Sequence, residues 1–257
     1  MLTEWKKDLL TIKKYDTRAE MGAGAARDAE QIIADIIREK GEVNIIFAAA
    51  PSQNEMLASL LDSPLIDWSC VNALHMDEYV GLPEGDPHTF GIYLYEHIFG
   101  KKPFKSINYI RGYADDTEAE CKRYAQVLSD HPVDVVCLGI GENGHIAFND
   151  PWVALFNDPE VIKKVELDTM CRTQQVNDGC FPTLNDVPTH ALTLTIPTLL
   201  AAKHMFCVVP AATKANAVKN TVNGPITEDC PASILRRHPS ATLYCDADSG
   251  AYIAKGE

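Results

Sequence analysis

The segment VDVVCLGIGENGHIAFNDP, residues 133 to 151, joins a short apolar run to a glycine-rich turn. A continuous apolar run bounded by turn residues is typical of a strand that is covered on both faces of a parallel sheet. The turn also fits G-x-G-x-x-G over residues 139–144, the spacing of dinucleotide-binding loops. Those loops need a helix that begins at the glycines, and Pro151 cuts such a helix short. The segment therefore predicts a buried strand followed by a loop that presents side chains, not a nucleotide site.

Short apolar runs and stretches with helical spacing alternate along the rest of the chain. The predicted strands lie at residues 43–50, 69–76, 107–112, 133–141 and 240–246, the predicted helices lie at 18–41, 51–63, 89–100 and 115–130, and the segments 191–202 and 204–222 repeat the alternation. This order predicts an α/β fold with a doubly wound, mostly parallel sheet and helices on both faces.

In a sheet of this type the ligand binds beyond the carboxyl ends of the strands. We therefore expect one crevice, formed by the loops that follow Ala50, Met76, Gly139 and Pro210.

Composition narrows the class of protein. The chain has 257 residues and a formal net charge of -13, which argues against nucleic acid or an anionic membrane as a general partner. There is no internal repeat and no linker-like tract, so we expect a single domain over residues 1–257. Eight scattered cysteines without paired spacing, and no bilayer-length apolar run, indicate reduced thiols in a cytoplasmic protein. The apolar faces leave a homo-oligomer open.

The glycine-rich turn carries one candidate for acid–base chemistry. His145 follows Asn143 and precedes Asp150, and a carboxylate near an imidazole fixes its tautomer and raises its basicity. The alternative is that His145 only fills a turn and Asp150 caps the next segment.

A second candidate directly follows the strand at 69–76. Asp77 and Glu78 are adjacent, so their side chains point to different sides, and one can face the ligand while the other is structural. A carboxylate in a partly dry crevice can shuttle a carbon-bound proton. The alternative is a solvated loop that caps the following helix.

Two further loops suit an anion such as a phosphate. Ser52 and Glu55 fit the S-x-x-E capping box, and a helix start leaves N–H groups that bind anions. Lys214 follows a strand end and supplies a cation. The residues assigned to substrate binding from these loops and the turn are Ser52, Gln53, Asn54, Gly141 and Lys214.

Three motifs together resemble one family. MDEYVGL at 76–82, GHIAFN at 144–149 and LRRHP at 235–239 are similar to the glucosamine-6-phosphate deaminase (isomerase) family, within a wider group that includes 6-phosphogluconolactonases. The lactonase branch has DER and GHTAS at the first two motifs, so the chain follows the deaminase side. The resemblance spans Arg18 to Cys245.

This resemblance implies a Rossmann-like three-layer α/β/α sandwich and a reaction. Glucosamine 6-phosphate and water would give fructose 6-phosphate and ammonia, without nucleotide or catalytic metal. Asp77 would move a proton between C2 and C1, His145 would open the pyranose ring, and Lys214 would bind the phosphate.

The chain departs from the family in its acid–base loop. Asn143 stands where the family has Asp, and Asp150 stands where it has Glu. We expect altered tuning of the histidine more than loss of activity, because an amide still orients an imidazole.

The chain also departs from the family in the loop expected to bind the phosphate. The loop AAAPSQNE at 48–55 has no glycine, which hinders close backbone approach. The family's arginine after Asp168-Thr169 has no clean match; Arg172 is the candidate assigned to substrate binding, with Gln174 and Gln175 nearby. The sugar or its anion could therefore differ. An isomerase or lactonase on another substrate, and a non-catalytic sugar-phosphate sensor, stay open as alternatives.

Overall fold

The computed structural model describes residues 3–255, so the ends of the expected 1–257 domain lie outside the described residues. The strands are β1 (Thr3–Lys7), β2 (Leu10–Lys14), β3 (Val43–Phe47), β4 (Val71–His75), β5 (Asp77–Tyr79), β6 (Ser106–Asn108), β7 (Val135–Leu138), β8 (Ile162–Glu166), β9 (His190–Leu194), β10 (His204–Val209) and β11 (Ala241–Cys245). The α-helices are α1 (Arg18–Lys40), α2 (Asn54–Leu61), α3 (Phe90–His97), α4 (Thr117–Asp130), α5 (Thr169–Asn177), α6 (Ile196–Leu200) and α7 (Ala215–Asn223).

Eight strands form one sheet in the order β1-β2-β11-β10-β7-β3-β4-β6. All neighbours in it are parallel except β1 and β2. The central strands β3, β4 and β7 are buried along their whole length, as their continuous apolar runs predict.

Helices cover both faces of this sheet. Ile45 and Phe47 of β3 pack with α1, α2 and α3 on one face, while Ile46 of the same strand packs with α4 and α7 on the other. Successive side chains of a strand point to opposite faces, so an apolar run fills both cores. The predicted three-layer α/β/α arrangement with a mostly parallel sheet is confirmed.

The sequence did not predict three parts of the structure, of which one is the helix α5. The N-terminal hairpin β1–β2 was missed because its sequence is mixed and rich in charged residues. Few of its side chains are buried, Leu10 and Ile12 among them. A second, antiparallel sheet has the order β5-β9-β8, and its strand β5 has only three residues. Strand pairs of this length are held by partners distant in sequence, so periodicity does not reveal them.

Several predicted elements are shorter than expected, among them the strand expected at 133–141, which covers only Val135–Leu138. The strand expected at 107–112 is paired only at Ser106–Asn108. The helix expected from residue 51 begins at Asn54, after a 3₁₀ turn at Pro51–Gln53. The predicted capping box there is wrong, since no side chain caps either segment. A capping box does open α1, where the Thr17 hydroxyl and the Glu20 carboxylate bond reciprocally to backbone N–H groups.

No helix among the described residues is long and apolar enough to cross a membrane. All eight cysteines are free thiols.

Candidate active site

One cleft lies at the carboxyl ends of the parallel strands. It is lined by the segments that follow β3, β4, β7 and β10, the four loops expected to converge there. The predicted site residues that line it are Ser52, Asp77, Gly141, His145 and Lys214.

Asp77 and Glu78 separate to two sides, as the alternation of a strand predicts. Asp77 lines the cleft, and its carboxyl has no hydrogen-bond partner within residues 3–255. Burial raises the pKa of Asp77 well above its ordinary value, and the neighbouring Glu78 charge raises it further. The site therefore holds a carboxyl group of enhanced basicity that no protein donor occupies.

Glu78 is structural. Its carboxylate accepts hydrogen bonds from the backbone N–H groups of Tyr79, Phe90 and Gly91 at 2.9 to 3.0 Å, at the start of α3. Burial raises the pKa of Glu78 to about 7, against the effect of these N–H donors. The carboxylate thus fixes α3 to the strand that carries Asp77.

His75 fixes the backbone beside Asp77, a role that the sequence analysis missed. Its Nδ1 lies 3.0 Å from the Asp77 carbonyl oxygen, and its Nε2 accepts the Ile110 N–H at 2.8 Å. Burial lowers the pKa of His75 to about 4, so the ring is neutral and Nδ1 carries the hydrogen. The proton of this imidazole is therefore committed to holding the chain, not to chemistry.

His145 lines the cleft, and Asp150 lies next to it. The Nδ1 of His145 lies 3.0 Å from Oδ1 of Asp150, but the alignment is too poor for a full hydrogen bond. Burial alone would raise the pKa of Asp150; the His145 ring and the Asn143 amide hold it below its ordinary value. An ionised carboxylate therefore faces one nitrogen of the ring, while the ring itself borders the cleft.

Asn143 connects this pair to its surroundings. Its Oδ1 accepts the backbone N–H of His145 at 3.0 Å. Its Nδ2 donates to Asp150 at 2.8 Å and to Asp168 at 3.3 Å. Asn143 and Asp150 lie behind His145 and do not line the cleft, so they act through the ring.

Two glycines of the turn are required by geometry. A Cβ on Gly141 would lie 2.1 to 2.4 Å from three atoms of the His145 ring. Gly144 has φ +88°, a left-handed conformation that glycine adopts without strain. The glycines that resemble those of a dinucleotide loop thus allow the His145 imidazole to lie close to the backbone of the turn.

The cleft also carries two cations, and we call the part lined by Arg18, Ser52 and Lys214 the anion end. Lys214 is 6 % exposed, and its ammonium makes no hydrogen bond or ion pair with the described part of the chain. Burial lowers the pKa of Lys214, while the carboxylates of Asp178 and Glu142 oppose this. Lys214 lies in the 3₁₀ turn that leads into α7, so its backbone is at the start of that helix.

Three predicted substrate-binding residues do not line this cleft. Gln53 is fully buried, and its Nε2 donates to the carbonyl oxygens of Leu138 and Val208 at 3.2 Å each. Asn54 accepts a hydrogen bond from the Tyr93 hydroxyl. The third residue is Arg172, which was expected to replace the family's arginine.

Arg172 points away from the anion end. Its Nη2 donates to the carbonyl oxygens of Leu184 and Val187 at 2.7 and 3.0 Å. A guanidinium bound to two carbonyls holds the segment after α5 in place. We therefore no longer assign Arg172, Gln53 or Asn54 as direct ligands.

Other residues enter the cleft that the site assignments did not include. Arg18, at the start of α1, lines it and donates through Nε to Glu55 at 2.6 Å and through Nη2 to the Pro51 carbonyl. Gln174, Gln175 and Asp178, from α5 and the turn after it, also line it. No local pattern reveals Arg18, because it lies over 30 residues before the loop that it contacts.

Comparison with known proteins agrees with this geometry. Residues 16–244 match the family model of glucosamine-6-phosphate isomerases and 6-phosphogluconolactonases. The chain belongs to this family. It is 39% identical over 213 residues to a glucosamine-6-phosphate deaminase of Listeria monocytogenes, covering 83% of this chain and 89% of that protein. It is 38% identical over 224 residues to a Streptococcus pneumoniae protein of the same name, with 86% and 93% covered.

Solved structures show the same relationship. A monomeric glucosamine-6-phosphate deaminase superposes with a TM-score of 0.84 at 31% identity, over 94% of this chain and 99% of that one. A 6-phosphogluconolactonase of Shewanella baltica superposes with a TM-score of 0.75 at 16% identity, over 92% and 97%, which shows the shared fold alone. The motifs that favoured the deaminase side of the family therefore agree with the identities.

Proposed function

We propose that the chain deaminates a hexosamine 6-phosphate and isomerises it from aldose to ketose. Glucosamine 6-phosphate and water would give fructose 6-phosphate and ammonia. The observation that carries this proposal is a buried, unpaired Asp77 carboxyl in the same cleft as the His145–Asp150 pair.

His145 opens the sugar ring in this proposal. Its imidazole borders the cleft and moves a proton between the C1 hydroxyl and the ring oxygen. Asp150 and Asn143 are positioning residues that hold the ring and its tautomer. Ring opening gives the C1 aldehyde, which acidifies the proton on C2.

Asp77 then transfers the carbon-bound proton. Its carboxylate takes the proton from C2, which leaves an enolamine, and returns a proton to C1. The product is an imine at C2, which water hydrolyses to the ketone and ammonia. A raised pKa suits this step, because a carboxylate of ordinary pKa is a poor base toward a carbon acid.

The phosphate binds at the cationic end of the cleft. Lys214 and Arg18 are the lysine and arginine side chains among the lining residues of the described chain, and Ser52 adds a hydroxyl. The 3₁₀ turn before α7 adds backbone donors. In this proposal Arg18 binds the phosphate in place of Arg172, which the sequence had suggested for that role.

The proposal also covers the catalytic unit, the cellular compartment and the class of substrate. The chain acts as one catalytic unit over residues 1–257, since its cleft draws on segments from Arg18 to Lys214. It works in the cytoplasm, which the free thiols support. The substrate is a small sugar phosphate, and neither nucleotide nor metal takes part in the steps above.

A second candidate is isomerisation of a different sugar phosphate. Asp178 lines the cleft and acts electrostatically on Lys214, so a carboxylate competes with the substrate anion for this cation. Pro51 and Ser52 occupy the loop where glycine would allow closest backbone approach. Galactosamine 6-phosphate and mannosamine 6-phosphate, given beside glucosamine 6-phosphate, test this candidate by their relative kcat/KM.

The role of His145 has its own experiment. His145→Gln should lower kcat on glucosamine 6-phosphate far more than on an open-chain analogue, which needs no ring opening. His88→Gln, outside the cleft, is the matched control. An equal loss on both substrates would contradict ring opening by His145.

A further inference from the structure

We propose that His145, Asp150 and Cys171 form a binding site for a zinc-type divalent cation, and that the bound ion inhibits the enzyme. One nitrogen of the ring, a carboxylate oxygen and the sulfur all lie within 4.8 Å of one another. The loop 139–151 supplies two of the three residues, and α5 supplies the cysteine.

The cluster contains polar atoms that the protein itself leaves unsatisfied. Nδ1 of His145 and Oδ2 of Asp150 have no hydrogen-bond partner among residues 3–255, and both residues are more than nine-tenths buried. Such atoms are rare in folded proteins, because each costs free energy unless a ligand, water or ion pairs with it. Cys171, which is 1 % exposed, places its sulfur within 4.8 Å of one ring nitrogen of His145 and one carboxylate oxygen of Asp150.

The donor set selects the kind of ion. One sulfur, one imidazole nitrogen and one carboxylate oxygen suit zinc, whereas magnesium and calcium prefer oxygen alone. Zinc bonds of about 2.0–2.3 Å in a tetrahedron put ligand atoms about 3.5 Å apart. The 3.0 Å between His145 and Asp150 is already close to this, so mainly the sulfur has to approach.

The surroundings also favour a cation. Asn143 holds Asp150 through a 2.8 Å hydrogen bond, as partners of metal ligands commonly do. The carboxylate of Asp168, which accepts from the same amide, adds negative charge nearby. Three protein ligands leave a fourth position for water.

Inhibition follows from the atoms that the ion would occupy. An ion on Nδ1 fixes the imidazole and takes Asp150 away from it, and it ties α5 to the loop 139–151. This consequence rests on the proposed function of His145, whereas binding of the ion does not.

Binding is tested on the whole purified protein with cobalt(II) as the probe. Wild type should show a thiolate-to-cobalt charge-transfer band and intense tetrahedral ligand-field bands, both removed by one equivalent of zinc. Cys171→Ser should lose the charge-transfer band and weaken zinc binding about 100-fold or more, and Cys171→Ala serves if the serine variant misfolds. Cys180→Ser, in the turn after α5, is the matched control and should keep the band.

Activity supplies the second readout. Zinc should inhibit wild type and Cys180→Ser reversibly, with recovery on addition of EDTA, each rate being compared with that of the same metal-free protein. A charge-transfer band absent from wild type, or retained in both Cys171 variants, would overturn the site. Binding at Cys171 without inhibition would overturn the inhibitory role while leaving the proposed reaction in place.

Discussion

The two ends of the cleft are built in different ways. At the acid–base end, Asp77 begins β5 two residues after β4 ends, and His145 lies in one glycine-rich turn whose own residues position it. At the anion end, Arg18, Ser52 and Lys214 come from three segments distant in sequence, and α5 closes the side. The histidine of the first end is thus positioned by its own turn, whereas the second end depends on tertiary packing, which leaves it freer to change substrate.

The largest effect is expected at the acid–base end. Asp77→Asn removes the only proposed carbon base, so kcat should fall about 10³-fold while ligand affinity stays within a few-fold. Exchange of the C2 hydrogen with solvent deuterium should disappear. Asp115→Asn, an exposed carboxylate, is the control and should keep wild-type rates. If the Asp77 variant turns over at the wild-type rate, the proton-transfer role is wrong.

The next largest effect is expected at the anion end, where substitutions should change KM and not kcat. Lys214→Met should raise KM for the phosphorylated substrate about 30-fold, and Arg18→Gln about 10-fold, because each removes a charge-assisted contact. Inhibition by inorganic phosphate should weaken in parallel. Lys219→Met, exposed on α7, and Arg27→Gln, exposed on α1, are the controls. A change in kcat alone would place these cations outside the anion site.

A third experiment concerns the rigid support of the acid–base end. The pKa of Glu78 is raised to about 7 in the fold, so the folded protein holds its proton more tightly than the unfolded chain does. Stability from this group is therefore present below its unfolded pKa and lost as pH rises through about 7. Wild type should gain about 2 kcal/mol in unfolding free energy from pH 8 to 5.5, relative to Glu78→Gln. Urea unfolding at both pH values measures this, and identical pH dependence in the two proteins would refute it.

The smallest effect is expected from a test of whether Asn143 and Asp150, the two departures from the family in the acid–base loop, are adapted to each other. Asn143→Asp would restore the carboxylate usual in the family, but it would remove the donor to Asp150 and Asp168 and add a third negative charge. We expect kcat to fall about tenfold and Tm to fall by roughly 3–8 °C. Asn143→Ala, which removes the donor without adding charge, should lose less stability. A kcat at or above the wild-type value would show that Asn143 is not adapted to its neighbours.

The sequence predicted the fold and the acid–base end better than the anion end. Continuous apolar runs such as β3 and β7 identified the central strands, because burial on both faces leaves an unambiguous pattern. The adjacent pair at 77 and 78 separated as strand alternation predicts. The short strand β5 and the mixed hairpin β1–β2 were not predicted, because their stability depends on partners far along the chain.

The anion end shows what a local pattern does not contain. Ser52 and Lys214 line the cleft as expected, but Gln53 turns inward to two strand carbonyls and Arg172 turns to the segment after α5. Gln53 lies in the expected loop and Arg172 lies on α5, but neither side chain lines the cleft. Arg18 enters only because α1 packs against the loop after β3.

The most direct test of the account is product formation by the purified protein. Given glucosamine 6-phosphate, it should release ammonia and form fructose 6-phosphate in equal amounts, and Asp77→Asn should form neither. Tight binding of the substrate with no ammonia and no ketose, from this sugar or from galactosamine 6-phosphate, would contradict the account and leave a sugar-phosphate sensor in its place.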